Sequence, residues 1–118
     1  MNKTIHIALD FDKTLSQYES SWKARKVGTP IQPMVENVKR WLSKGYKVSI
    51  FTARVATMDS IELYSQREMI TNFLKDAGLP ELPITAQKLK SFTHFIDDKA
   101  FHVVPNTGEI LNCPEELL

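Results

Sequence analysis

Thr4-Ile5-His6-Ile7-Ala8-Leu9-Asp10-Phe11-Asp12-Lys13-Thr14-Leu15 is the stretch whose reading decides what this chain becomes. Residues 4–10 are rich in β-formers and almost wholly apolar toward their end, as a strand covered on both faces should be. Lys47-Val48-Ser49-Ile50-Phe51-Thr52 and Thr93-His94-Phe95-Ile96-Asp97 read the same way, and all three runs stop on a polar residue. Between the first two, Pro33 suits a first helical turn, and Met34, Val35, Val38, Trp41 and Leu42 recur at helical spacing before a capping Gly45. A second helix is predicted to start near Asp59, where Asp59-Ser60-Ile61-Glu62 resembles a capping box. It would carry Ile61, Tyr64, Ile70, Phe73, Leu74 and Ala77 inward before Gly78. Residues 82–86 make a weaker strand, confined to a sheet edge by Pro80 and Pro83. Near the end, residues 102–105 and 109–112 flank Asn106-Thr107-Gly108, a hairpin signal.

Strands alternating with helices imply parallel strands joined by right-handed crossovers, hence an α/β three-layer sandwich with a Rossmann-like parallel sheet. The 118 residues make one domain, 1–118, with no repeat and no linker-like stretch. Apolar residues at 42% and charged ones at 25% are the proportions of a globular core with a solvated surface, which excludes disordered and fibrous classes. The lone Cys113 excludes an intramolecular disulfide and a Cys-rich metal site, and a reducing cytoplasmic setting fits it best. No signal-peptide pattern opens the chain and no apolar run approaches the ~20 residues that span a bilayer, so no membrane partner is expected. Fifteen basic against fourteen acidic residues give a net charge of +1, which removes any global electrostatic attraction to nucleic acid.

In open α/β sheets ligands bind beyond the carboxyl ends of the strands, and the polar strand ends gather there. Asp10 and Asp12, two apart in extended chain, point the same way. With Thr52 and the Asp97-Asp98 pair they make four carboxylates and a hydroxyl on one rim. Such groups raise one another's pKa unless cations neutralise them, so the rim requires a metal, a lysine or both. Hard oxygen donors favour Mg2+ or Mn2+ over zinc. Lys88 and Lys90 lie just upstream of the Asp97-Asp98 strand as candidate lysines.

The segment Ile7-Ala8-Leu9-Asp10-Phe11-Asp12-Lys13-Thr14-Leu15 resembles the first motif of the haloacid dehalogenase (HAD) superfamily, a hydrophobic strand followed by Asp-x-Asp-x-Thr. Val48-Ser49-Ile50-Phe51-Thr52 resembles the second motif. Lys88 or Lys90 and Phe95-Ile96-Asp97-Asp98 resemble the third and fourth, in the right order over about residues 5–100. The resemblance implies a HAD-like phosphatase. Asp10 would be the nucleophile that forms an aspartyl-phosphate, and Asp12 the acid and then the base. Thr52 and a lysine, Lys88 in preference to Lys90, would hold the transferring phosphoryl. The family's metal set would place Mg2+ on Asp10, the Asp12 carbonyl and Asp98, with Asp97 behind it.

Lys13 replaces a glycine common in the family and would stand near the rim. Arg54, in Thr52-Ala53-Arg54, and Ile96-Asp97-Asp98-Lys99 resemble the phosphatase domain of phage polynucleotide kinases, which implies that Arg54 touches substrate; an ordinary surface ion pair is the alternative. Residues 15–32 and 79–87 are too short for a folded cap domain, so this resembles a capless member. An open site suits a nucleotide, a polynucleotide end or a phosphorylated macromolecule, or a small metabolite enclosed by a second subunit of a homo-oligomer. Tyr18, Trp22, Lys23, Arg25 and Lys26 would either stack and bind a base with its phosphates or finish the core under solvated cations. Trp41 and His6 read as core residues. A receiver domain would place its acidic pair first and its phospho-acceptor on a later strand, the reverse of the order here. No glycine-rich nucleotide loop occurs. The non-enzymatic alternative is an idle HAD-like binding or regulatory module.

Overall fold

The first apolar run becomes strand β1 (His6–Leu9), buried along its whole length. A strand with no wet edge must have its backbone groups paired on both sides. In the computed structural model, which describes residues 4–19 and 25–118, that requirement is met by β2 (Lys47–Phe51) on one side and β4 (His94–Ile96) on the other. The weak candidate at 82–86 forms β3 (Ile84–Thr85), at the far edge beside β2. All pairs are parallel and the order is β3-β2-β1-β4.

Helix α1 (Gln32–Ser43) has Pro33 in its first turn and buries Val35 and Val38, and Gly45 follows it at φ +82°, a left-handed conformation that glycine adopts without steric cost. Helix α2 (Ser60–Asp76) is capped by Asp59, whose Oδ1 accepts from the amides of Ile61 (2.9 Å) and Glu62 (3.1 Å). Its inward stripe differs from the predicted one at the start. Leu63, Gln66, Ile70, Phe73 and Leu74 face the core, whereas Ile61 and Tyr64 are 81% and 70% exposed. At 100° per residue Ile61 lies opposite Ile70, so helical phase accounts for the difference.

Ile7 pairs with Val48 and Leu9 with Ile50, which puts these four side chains on one face of the sheet. They share a single cluster with Val35 and Val38 of α1 and with Ile70, Phe73 and Leu74 of α2. Both helices therefore lie on the same face. The chain steps from β1 to β2 to β3 in one direction, and right-handed connections made in one direction stack their helices on one side. The return from β3 to β4 is a helix-free segment. The arrangement is thus an α/β fold with a parallel sheet, and among the described residues no helix supplies the expected third layer. On that face stand His6, Ala8, Ser49, Phe51 and Phe95, covered in part by Phe92, whose ring lies 4.6 Å from His6, 5.8 Å from Phe51 and 5.7 Å from Phe95. β4 is also not covered on both faces: it is an edge strand whose His94 and Phe95 are exposed. The hairpin signal at 106–108 holds as one antiparallel bridge, Val103 to Ile110. No helix among the described residues is long and apolar enough to cross a membrane.

His6 ties the second face together. Its Nε2 lies 2.8 Å from Ser49 Oγ and its Nδ1 3.0 Å from Ser91 Oγ, while its amide donates to Thr93 Oγ1 at 3.0 Å. Burial, and then the nearby Lys47 charge, hold its pKa below 6.5. A depressed folded pKa contributes stability that is present above the unfolded value and lost as pH falls through and below 6.5. In denaturant unfolding His6→Gln should cost about 2 kcal/mol at neutral pH. The gap between variant and wild type should narrow as pH falls below 6.5; a gap independent of pH would contradict a neutral, desolvated His6.

Candidate functional site

Because β1 runs parallel to β2 and β4, the ends of all three strands open on one rim. The Asp10 amide donates to the Ile96 carbonyl at 2.9 Å, so the residue after β1 stands beside the residues after β4. One carboxylate oxygen each of Asp10, Asp97 and Asp98 lies within 4.8 Å of the others. Asp10 is half-buried, and its pKa is raised to about 7, first by desolvation, then by a hydrogen bond with Asp98 and the charge of Asp97. Thr14 Oγ1, donating to Asp10 Oδ2 at 3.1 Å, and the Phe11 amide work in the opposite direction. Three hard oxygens so placed could hold a metal ion. A cation there would offset the repulsion among these carboxylates.

After Asp10 the chain turns tightly: the amides of Leu15 and Ser16 both donate to the Phe11 carbonyl at 2.9 Å. Lys13 sits in that turn at φ +67°, a left-handed position that costs a non-glycine residue about 1 kcal/mol. A glycine at this position would carry no such cost. The turn also swings Asp12 away from the triad. Its Oδ2 accepts from Arg54 Nε at 2.7 Å and its Oδ1 from Arg54 Nη2 at 2.9 Å. The four carboxylates of the rim are thus split, three to a triad and one to a buried arginine.

Thr52 ends β2 and caps the 3-10 turn Ala53–Val55, its Oγ1 accepting from the Arg54 amide at 3.2 Å. These groups line a cavity of about 620 Å³ together with Lys13, Tyr18, Phe51, Gln66, Asp97, Asp98 and Lys99. Asp10, Asp12, Thr52, Arg54, Lys13, Asp97 and Asp98 are therefore brought together as the sequence predicts. Lys88 and Lys90 do not line this cavity. The Lys88 ammonium lies 5.2 Å from the Phe95 ring centroid, held over the incompletely covered face of the sheet. Among the described residues the lysines in the cavity wall are Lys13 and Lys99, and the Lys99 amide donates to Asp97 Oδ1 at 2.7 Å.

Tyr18 lines the cavity next to a close approach of residues 16–17 to residues 28–29. The Gln17 amide donates to the Thr29 carbonyl and the Gly28 amide to Ser16 Oγ, both at 3.0 Å. A Cβ on Gly28 would lie 2.1 Å from the Gln17 carbonyl oxygen, so only glycine allows the two arms to meet. Trp22 and Lys23 lie outside the described residues. Gln66 was not legible as a site residue, since it stands in mid-helix, whereas Lys99 closes the Ile96-Asp97-Asp98-Lys99 stretch and enters the wall beside the acidic pair. No family model, curated protein or solved structure matches this chain.

The triad yields a test that needs no substrate. Asp10 with a folded pKa raised to about 7 subtracts stability as pH rises from the unfolded value of 3.8, with the full deficit above 7. In metal-free protein above that pH, Asp98→Asn should therefore be more stable than wild type by about 1 kcal/mol in urea unfolding. The gain should fade as pH falls and Asp10 takes up its proton. A variant less stable than wild type at every pH would show that the triad is not repulsive.

Proposed function

We propose that this protein is a HAD-like, capless phosphomonoester hydrolase that acts through an aspartyl-phosphate on Asp10. The observation that carries the reading is the juxtaposition of a half-buried Asp10, at the end of the central strand, with Asp97 and Asp98 from the end of β4. The all-oxygen donor set suits Mg2+ or Mn2+, with Asp10 and Asp98 as ligands and Asp97 beside them. Bound there, the ion would neutralise the triad and withdraw charge from a phosphate oxygen.

An Asp10 oxygen attacks phosphorus in line with the ester oxygen; the new O–P bond forms as the old one breaks, and Asp12 delivers a proton to the leaving oxygen. In the second half, Asp12 as carboxylate takes a proton from water as that water attacks phosphorus. The Asp10–phosphoryl bond breaks, and inorganic phosphate leaves with Asp10 restored. Thr52 offers a hydroxyl to the phosphoryl oxygens. Lys13 and Lys99 supply the positive charge expected of Lys88, because they are the lysines in the cavity wall.

A cavity of about 620 Å³ exceeds what a phosphoryl group alone requires. Tyr18 in its wall, with the Lys13 ammonium 5.8 Å from the ring centroid, offers an aromatic face beside a cation. That combination favours a nucleotide or polynucleotide-end phosphate over a small aliphatic metabolite. The displacement of Lys88 from the cavity favours a second reading, a module that holds a phosphorylated ligand without turning it over.

Purified protein should release phosphate from an aryl phosphate only with Mg2+ or Mn2+, and Asp10→Asn should lower turnover by at least about 10³-fold. Nucleoside monophosphates and 3′- and 5′-phosphorylated oligonucleotides, run beside the aryl ester, rank the leaving groups. Absence of turnover in folded, metal-replete protein would reject the hydrolase and favour the binding module. Independently, Mg2+ or Mn2+ should raise the thermal midpoint of wild type, and the rise should be lost in Asp98→Asn. An equal rise in both would place the ion elsewhere.

A further inference from the structure

The Arg54 side chain is 3% exposed, yet it stands at the wall of an open cavity. Burying a guanidinium is costly unless its donors are met, and here they are met from three parts of the chain. Nε and Nη2 grip the two oxygens of Asp12 at 2.7 and 2.9 Å. Nη1 donates to Gln66 Oε1 of α2 at 3.1 Å, and Nη2 donates also to the Lys26 carbonyl, two residues before Gly28, at 2.7 Å. The planar group lies 5.6 Å from the centroid of the Phe11 ring, the residue between the two aspartates. Its own amide is fixed by Thr52 Oγ1.

We propose that Arg54 is a positioning residue that fixes the rotamer of Asp12, held in turn by Gln66 and the Lys26 carbonyl, rather than a clamp on substrate phosphate. The inference rests on the hydrolase reading for its kinetic consequence and on geometry alone for its structural one. A two-point grip leaves the carboxylate one orientation and leaves each oxygen a lone pair for a proton in flight. A phosphate clamp would present its fork to the cavity; this fork is spent on protein oxygens. The anchors also explain why Arg54 is buried although it follows the end of β2 by only three residues.

Arg54→Lys keeps the charge but replaces the planar fork with a point donor. On the aryl ester, whose good leaving group keeps residual turnover measurable, kcat should fall on the order of 10²-fold with KM changed less than roughly threefold. A substrate clamp predicts the reverse, a large rise in KM with kcat nearly kept. In an Asp12→Asn background Arg54→Lys should add less than about a twofold loss, because its effect passes through Asp12, whereas a fully multiplicative loss would overturn the proposal. Gln66→Met, which loosens Arg54 without touching Asp12, should lower kcat in the same sense by a smaller factor, and it carries the test if Arg54→Lys does not fold.

Three-bond NMR couplings to the Asp12 side-chain carbon report its χ1 without any turnover. Wild type should show one rotamer, and Arg54→Lys or Gln66→Met should show averaging. Identical couplings in wild type and variants would overturn the positioning role. If wild type proves inactive on every phosphate ester, the hydrolase reading fails, and these couplings alone decide whether Arg54 fixes Asp12.

Discussion

The constraint on which this structure depends is the complete burial of β1. A central strand with both edges paired and both faces dry must end somewhere, and its first polar residue, Asp10, emerges where the neighbouring strands also end. Parallel pairing then does the rest, since equal strand direction gathers the ends of β2 and β4 on the same side. Had β4 run antiparallel, Asp97 and Asp98 would stand beyond the opposite edge and Asp10 would meet no partner carboxylate. The acidic triad is therefore a consequence of strand direction before it is a feature of side chains.

The rim handles its four carboxylates in two ways. Asp12 is matched with a buried cation and fixed in place, an arrangement that costs little once Arg54 has its other partners. Asp10, Asp97 and Asp98 are left crowded, and burial of Asp10, followed by its contacts with Asp98 and Asp97, raises the Asp10 pKa to about 7. Uncompensated repulsion of this kind opposes folding and is retained where a site needs it. The left-handed backbone of Lys13 is a second local cost in the same turn. The two costs lie within four residues of each other, beside a core that is otherwise well packed and hydrogen-bonded.

The two faces of the sheet are unequal. One is sealed by α1 and α2 through a continuous cluster of aliphatic and aromatic side chains. The other is bridged by the His6, Ser49 and Ser91 contacts and by Phe92, and leaves Phe95 40% exposed. Lys88 belongs to that second face, with its stem and ammonium against Phe95. Its absence from the wall of the rim cavity follows from how the helix-free return segment crosses the sheet.

The sequence by itself determined the strands, the helices with their caps, and the set of acids at the strand ends, because burial, helical period and strand-end polarity are local patterns. Asp10, Asp12, Thr52, Asp97 and Asp98 were legible for that reason, as was the glycine after each helix. Ile61 and Tyr64 face outward because, at 100° per residue, they fall outside the stripe that Ile70, Phe73 and Leu74 define. That no helix among the described residues supplies a third layer depended on the order in which the strands cross the sheet, and that order is invisible along the chain. So too for Arg54 and Lys88: both are cations near a motif, but only the tertiary structure turns one onto Asp12 and the other onto Phe95. Gln66 reaches the cavity because α2 passes its wall, a contact between residues far apart in sequence that no local spacing encodes.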